Sequence, residues 1–384
     1  MHLIYATYQY FPDSRTNTFQ TMSTIKEFIK IGYKVDLIFP DRKKIELSKN
    51  IHEFYDLSDD LNITKVKHKS KNQLLNNNLY IKVKYLFNHF VFSFKIRKIV
   101  KQQLQNQSII FTRSPFITFT LKKFKVPIVF EVHQFTKISR LLIKLSLNKS
   151  KQILFVAVSP GIEDILVSLN VSKSNIEYLE TGYNEELFTE NEIKKIDYKD
   201  DVIQIIFGGS LTIQGVDKGV SDLIEVFDEI SKENISKTLK LKIYCSNEIE
   251  KELITDYIFE NRIISNIEVN NRIPSLEFAR ELLISDIGLI PLPNTNHVNL
   301  FSSSMKFFEY IRANLFIIGS NVEANKRYEY SRISLYENSK SSIKNCFLYA
   351  LENYKNFTPL SPDKIKEYSF SNRVNKIINK INQF

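Results

Sequence analysis

Leu3-Ile4-Tyr5-Ala6, the loop Tyr10-Phe11-Pro12-Asp13-Ser14-Arg15-Thr16, and apolar Phe19, Met22, Ile25, Phe28 and Ile29 at helical spacing open the chain. Gly32 stops that helix, and Val35, Leu37 and Phe39 alternate as a second strand ending at Pro40. Strand, helix and strand in so short a run form a parallel βαβ unit. The unit repeats. Ile109-Ile110-Phe111 reads as a strand before a helix opened by Ser114-Pro115, and Pro127-Ile128-Val129-Phe130-Glu131-Val132-His133 as a strand with His133 at its carboxyl edge. Residues 153–158 are another strand, Ser159-Pro160 opens another helix, and Ile176-Glu177-Tyr178-Leu179 closes the series before Thr181-Gly182. A charged, apolar-poor stretch then predicts a linker between about residues 180 and 201. A second series starts at Val202-Ile203-Gln204-Ile205-Ile206-Phe207 and the turn Gly208-Gly209-Ser210, and continues through strands at 241–244, 267–269, 287–290 and 316–318. The expected fold is α/β, with two Rossmann-like, doubly wound domains facing across a cleft, over residues 1–185 and 186–361.

The 384 residues, 43% of them hydrophobic, suffice for two cores. Cys245 and Cys346 stand far apart and suggest neither a disulfide framework nor a metal site. Met1-His2-Leu3-Ile4-Tyr5 lacks a basic region followed by an apolar core, so no signal peptide is expected, and no run is apolar enough to span a bilayer. The expectation is a soluble, cytoplasmic protein, at most peripheral to a membrane.

Ligands of doubly wound sheets bind at the carboxyl ends of strands. Gly208-Gly209-Ser210 follows one strand, so its backbone can approach a diphosphate, and Lys218 lies on the loop beyond. The pattern is neither a G-x-x-x-x-G-K-[ST] loop nor a G-x-G-x-x-G fingerprint, and a purely structural turn accounts for it equally. Ser302-Ser303-Ser304-Met305-Lys306-Phe307-Phe308-Glu309-Tyr310 follows another strand. Hydroxyl residues opening a helix leave N–H groups free for an anion, Lys306 adds a cation, and Glu309 lies within one turn of both Met305 and Lys306. That combination describes a nucleotide-sugar site; an ordinary Ser-capped helix with a solvated Lys–Glu pair fits the same residues. A lone His133 is compatible with a structural role. No Asp-x-Asp has convincing context: Asp59-Asp60 and Asp200-Asp201 read as loop and linker charges, so no metal is expected. The paired strand-end carboxylates of a glycoside hydrolase are missing as well.

Taken in order, these landmarks resemble the retaining GT-B glycosyltransferases of glycosyltransferase family 4. Glu131-Val132-His133 resembles the family's Glu-x-His strand end. Val158-Ser159-Pro160-Gly161-Ile162 with Glu180-Thr181-Gly182-Tyr183-Asn184 and Phe188 resembles its interdomain passage. Gly209-Ser210-Leu211 with Lys218-Gly219 resembles its diphosphate loop, and 286–292 with 305–310 its donor core. Tyr368-Ser369-Phe370 resembles the segment preceding a C-terminal helix, 362–384, that crosses back to the first domain. The resemblance implies that Lys218 and Lys306 hold the donor diphosphate with N–H groups near Gly209, Ser210, Ser303, Ser304 and Met305. It implies that Glu309 accepts from the ribose, that Asn271, Arg272 and Ile273 meet the base largely through backbone, and that His133 touches the donor sugar or supports the leaving group. Ser14, Arg15 and Thr16 would close near the phosphates or acceptor. The chain departs from the family at Phe301, where a second carboxylate is expected, and at Ser210, Ser303-Ser304 and the first loop. The implied activity is metal-independent transfer of a hexose-type unit, with no cofactor, from a nucleotide-diphosphate sugar to a glycan or lipid-linked acceptor in surface polysaccharide or glycolipid synthesis. Another GT-B enzyme such as a nucleotide-sugar epimerase, or an inactive sugar-nucleotide or nucleic-acid binding protein, is the alternative.

The net charge of +10 is local. Residues 61–130 hold fourteen Lys and Arg and no Asp or Glu, which leaves 39 basic against 43 acidic residues elsewhere. Between residues 80 and 101 aromatic and basic side chains interleave. Solvated lysines on a core helix and an interfacial surface for anionic lipid fit equally well. Nucleic acid is the weaker reading, because no binding motif accompanies the charge. The lipid reading suits an acceptor domain that takes a lipid-linked glycan.

Overall fold

The computed structural model describes the chain except residues 14, 42–49, 58–59, 69–78, 148–151, 190–200, 234–236, 329 and 357. It forms two compact units, Met1–Glu180 with Phe370–Phe384, and Thr181–Ser369.

In unit 1 the strands are β1 (His2–Ala6), β2 (Lys34–Asp41), β3 (Leu61–Lys67), β4 (Ser108–Thr112), β5 (Ile128–Val132), β6 (Ile153–Ala157) and β7 (Ile176–Tyr178). They form one parallel sheet in the order β3-β2-β1-β4-β5-β6-β7. Its helices are α1 (Thr16–Lys30), α2 (Ile51–Tyr55), α3 (Leu79–Gln103), α4 (Pro115–Leu121), α5 (Lys137–Leu147) and α6 (Pro160–Ser168). Strands β1, β4, β5 and β6 are buried from end to end because helices cover both faces, which is why they read as unbroken apolar runs. The Ser-Pro pairs do what their chemistry predicts: the Ile117 N–H donates to Ser114 Oγ and the Ile162 N–H to Ser159 Oγ. The order reverses between β1 and β4, so the loops after Ala6 and Thr112 meet at a switch point.

Unit 2 holds β8 (Val202–Gly209), β9 (Thr212–Ile213), β10 (Val216–Asp217), β11 (Thr238–Cys245), β12 (Ile267–Asn271), β13 (Ile287–Ile290), β14 (Phe316–Ser320) and β15 (Ile333–Tyr336). Six of them form a parallel sheet in the order β12-β11-β8-β13-β14-β15, and β9 and β10 form a small antiparallel hairpin. The helices are α7 (Val220–Lys232), α8 (Glu248–Glu260), α9 (Ser275–Leu283), α10 (Asn296–Phe301), α11 (Met305–Arg312), α12 (Glu323–Lys326), α13 (Lys340–Asn353) and α14 (Pro362–Lys366). Strand alternation divides the core. Ile205, Phe207 and Ile287 pack with α7 and α13, while Ile206, Ile290 and Ile317 pack with Phe278 of α9 and Phe307, Phe308 and Tyr310 of α11. The switch point lies between β8 and β13.

A final helix, α15 (Phe370–Ile381), returns to unit 1. Its Val374, Ile377 and Ile381 join the core of Leu3, Tyr5, Ile25 and Phe28.

One expectation needs correcting. Gly208 and Gly209 are not a turn but the last two residues of β8. Glycine is required at Gly208 by close packing, since a Cβ there would lie 2.4 Å from the Phe278 ring.

Candidate functional site

At the unit 2 switch point the hairpin β9–β10 folds the chain back over the end of β8, and the Lys218 N–H donates to the Leu211 carbonyl at 3.0 Å. Lys218 Nζ lies only 3.9 Å from where a Cβ on Gly209 would stand, so the ammonium rests over glycine backbone. Gly209 itself has φ +147, which other residues rarely adopt. Burial lowers the Lys218 pKa to about 8; Lys306 pushes the same way and Glu250 opposes them. No ion pair or side-chain hydrogen bond reaches this ammonium among the described residues.

Helix α11 supplies the second cation. Lys306 Nζ stands 3.0 Å from Glu309 Oε2 and 3.8 Å over the Phe278 ring centroid. Glu309 is buried, so the two residues assigned to diphosphate and ribose form one ion pair in this structure. Ser304 is the N-cap but its side chain makes no capping bond. The N–H groups of Met305 and Lys306 find no acceptor among the described residues. The serine run is pinned from outside. Thr181 N–H donates to Ser303 Oγ at 2.9 Å, Thr181 Oγ1 to the Ser303 carbonyl at 3.2 Å, and Arg327 Nη2 to the Ser302 carbonyl at 2.8 Å.

Two glycines seat these groups. Phe278, beneath Lys306, lies against Gly208, and Tyr310 of α11 lies against Gly288 of β13. Ser210 is tied down through its side chain. Its hydroxyl meets Glu250 Oε1 at 2.8 Å, and that oxygen also accepts the Leu211 N–H at 3.1 Å. Glu250 Oε2 accepts the Ser246 N–H at 3.1 Å, so this carboxylate fastens the whole glycine loop. Sequence reading missed Glu250, although Asn247-x-x-Glu250 carries the capping-box spacing, with the Glu250 N–H donating to Asn247 Oδ1. Asn271 ends β12; its amide donates to Glu248, and its Oδ1 is buried without a partner. Arg272 follows it, and Ile273 packs against the core beside α9. Phe301 ends α10 with its ring 5.5 Å from that of His297, which in turn bonds Gln214 of the hairpin at 3.1 Å.

Unit 1 gathers a second cluster at its strand ends. Glu131 Oε1 is 3.1 Å from Arg113 Nε and 2.5 Å from His133 Nε2, and Glu131 Oε2 is 2.6 Å from Arg373 Nη2 of α15. Arg113 Nη2 is 3.0 Å from His133 Nδ1 and also contacts Nε2. The guanidinium continues to Gln20 Oε1 and the Asn17 carbonyl of α1. Burial alone would raise the Glu131 pKa; Arg373, then Arg113, override it and hold the carboxyl well below its usual range. His133 is pushed down to about 4 by burial and then by Arg113, against the opposing pull of Glu131. The imidazole is therefore neutral near pH 7. Of the first loop, Ser14 lies outside the described residues. Arg15 pairs with Asp13 at 3.0 Å beside the Tyr10 ring, and Thr16 is exposed at the start of α1. Sequence reading missed Arg113 and Arg373. The available signal was a charge on each of two apolar faces, Glu131 within β5 and Arg373 between Phe370 and Ile377 of α15.

No protein-family model and no curated protein sequence matches the chain. Solved structures do. A glycosyltransferase from Rickettsia africae aligns over 99% of this chain and 94% of its own, with 14% identity and a TM-score of 0.64. HepE from Anabaena, solved with UDP and glucose, aligns over 100% of both chains at 10% identity and TM-score 0.64. WaaG, a glycosyltransferase of lipopolysaccharide biosynthesis, covers 98% of this chain and 95% of its own at 12% identity and TM-score 0.59. At such identities the likeness carries architecture alone, and the architecture is that of the GT-B glycosyltransferases: two parallel-sheet α/β domains.

Proposed function

We propose that the protein is a retaining glycosyltransferase that moves a hexose-type sugar from a nucleoside diphosphate sugar to a glycan or lipid-linked acceptor. The observation that carries the reading is the Lys218 ammonium, desolvated and unpaired over Gly209 and within the electrostatic reach of a second ammonium, Lys306. Lys218 is partly buried without an ion-pair partner and the charge of Lys306, itself partly exposed and paired with Glu309, opposes it, so an anion that meets both is favoured. A diphosphate supplies that anion, and the N–H groups of Met305 and Lys306 add donors at a helix start. As the glycosidic bond breaks, negative charge grows on the leaving diphosphate, and groups set in place beforehand stabilise it selectively. These residues fill the charge-stabilising role without a metal. Glu309 accepts from the ribose, and His133, neutral, meets the donor sugar or leaving group.

Donor binding is expected to follow the Lys218 charge. That charge is nearly complete at pH 7, half lost at about pH 8 and fades above it, so thermal stabilisation by a nucleoside diphosphate should be large at pH 7 and shrink as pH rises through 8. A panel of nucleoside diphosphates and their sugars, run at both pH values, checks this. Stabilisation indifferent to pH between 7 and 9, or to every nucleotide, overturns the reading.

The acceptor side of the proposal rests on unit 1. Helix α3 buries Phe92, Ile96 and Val100 but exposes Tyr80, Val83, Phe87 and Phe94, among exposed Lys84, Lys95, Lys98 and Lys101. Beyond residue 130, α5 repeats the pattern with exposed Ile138, Leu141 and Leu145 beside Lys137, Arg140 and Lys144. From residue 61 to 162 the one acidic residue is Glu131, which is buried. Apolar stripes bordered by uncompensated cations fit the headgroup zone of an anionic bilayer, where each basic residue adds up to ~1 kcal/mol. No helix among the described residues is long and apolar enough to cross one. Phosphatidylglycerol vesicles should float the protein while phosphatidylcholine vesicles should not, and Phe87→Ser with Leu141→Ser should abolish flotation. Equal behaviour on both vesicles refutes a membrane-facing surface and with it placement at the cytoplasmic face of the membrane.

A further inference from the structure

The cluster around Glu131 holds a group that nothing in the proposed reaction uses. Arg373 sits on α15 with only 4% of its side chain exposed, 242 residues along the chain from the carboxylate it meets at 2.6 Å. Its Nε donates to the Glu180 carbonyl at 2.8 Å, and its Nη1 is buried without a partner. So expensive a placement for an arginine needs a reason beyond packing, because apolar side chains fill the same helix face at Val374, Ile377 and Ile381. The reason lies in how the carboxylate is shared. Oε2 faces Arg373, while Oε1 faces both Arg113 Nε and His133 Nε2. With Oε2 held from behind by one nitrogen of a group that cannot lose its charge, Oε1 is left to face the imidazole and Arg113 Nε. The arrangement that satisfies both nitrogens of the imidazole has His133 Nε2–H donating to Glu131 and Arg113 Nη2 donating to Nδ1.

We propose that Arg373 is a positioning residue for His133: it clamps the Glu131 carboxylate in the one orientation that accepts the Nε2 proton, and so fixes the imidazole's tautomer and direction at the carboxyl end of β5. The proposal rests on the glycosyltransferase reading for its effect on turnover, but not for its effect on the imidazole. Charged groups facing His133 are Glu131 from β5, Arg113 after β4 and Arg373 from α15. Tyr5 from β1 stands close to the same three, and burial keeps it neutral. Removing Arg373 removes one of the two cations that oppose protonation and leaves the carboxylate that favours it. The imidazole should then gain a proton more readily.

The test is a histidine-selective NMR titration of the full chain, with His133→Asn used to assign the signal. In the wild-type protein His133 should titrate with a midpoint of about 4. In Arg373→Gln the midpoint should climb toward the ordinary 6.5, and Arg373→Lys, which keeps the charge, should hold it lower than Arg373→Gln does. Where transfer is measurable, kcat of Arg373→Gln at pH 5 should fall several-fold against its own value at pH 7.5. Its affinity for a nucleoside diphosphate, which depends on Lys218 and Lys306, should stay within twofold of wild type. An unmoved midpoint overturns the proposal even if the protein transfers sugar, and a moved one supports it even if no transfer is found. Should Arg373→Gln fail to fold, the double variant Glu131→Gln, Arg373→Gln avoids a half-satisfied buried carboxylate. There the strongly hydrogen-bonded Nε2–H resonance should move upfield, and its persistence at the wild-type position overturns the proposal.

Discussion

Replacing Lys306 by alanine is expected to lower sugar transfer by more than ~10²-fold, the scale of losing one group that stabilises developing charge. Its ammonium is 3.0 Å from Glu309 and close enough to Lys218 to depress that lysine's pKa, so it links both halves of the proposed donor site. Its removal leaves the diphosphate one cation short as the bond breaks. It also leaves the buried Glu309 carboxylate without its partner, and an uncompensated buried charge moves or protonates. Glu309→Ala should cost a similar factor by the reverse route, freeing Lys306 from its pair and removing the acceptor for the ribose. Release of nucleoside diphosphate at saturating donor measures kcat in both variants. A loss confined to KM would place Lys306 in uniform binding, and near-normal turnover in both variants refutes the site assignment. Lys306→Arg should rescue only in part. A guanidinium can stack on the Phe278 ring in place of the ammonium 3.8 Å from its centroid, but its longer head presents donors in a fixed planar fork rather than as a compact charge beside Glu309.

Adding one methyl group at Gly288 should destabilise unit 2 by about 3 kcal/mol. A Cβ there would lie 2.4 Å from Tyr310 Cδ2 and 2.6 Å from Cε2. The ring has nowhere to go: Tyr310 is fully buried between β13 and the aromatic side chains of its own helix. Relief must come from lifting α11, the helix that carries Lys306 and Glu309, so donor binding should fail together with stability. Thermal unfolding of Gly288→Ala, with and without nucleoside diphosphate, should show a lower midpoint and a smaller ligand-induced rise. Gly319→Ala is the internal comparison, since its Cβ would meet Asn325 Nδ2 at 3.0 Å, a milder conflict. Equal midpoints for the two variants would mean that α11 is not seated on Gly288 as described.

The features that sequence alone made legible are those written in local pattern. Unbroken apolar runs marked the parallel strands, and Ser-Pro pairs marked helix starts whose caps the structure contains. Met305-Lys306-Phe307-Phe308-Glu309 placed its charges one turn apart, and the structure joins them at 3.0 Å. Gly208-Gly209 reads as a turn because glycine is ambiguous between permitting a bend and permitting contact. The deciding partner, Phe278, stands 70 residues on and carries no mark of its role. Strand β3 escaped because Leu61-Asn62-Ile63-Thr64-Lys65-Val66-Lys67 alternates polar with apolar at a sheet edge, amid a segment conspicuous for its charge. Glu250, Arg113 and Arg373 escaped for a different reason. A capping-box spacing marks Glu250 and an apolar face marks Arg373, but neither signal records the distant residue that each one meets.

Unit 2 is inserted within unit 1, and this fixes an order of events during synthesis. Residues 181–369 are contiguous, so that unit can finish folding as soon as it emerges from the ribosome. Unit 1 begins first and finishes last. Its fifth strand carries Glu131, whose clamp follows 242 residues later, a wait of roughly 10–50 s at ordinary translation rates. During that interval the N-terminal sheet has an unclamped acid and the apolar face of α1 uncovered where α15 will lie.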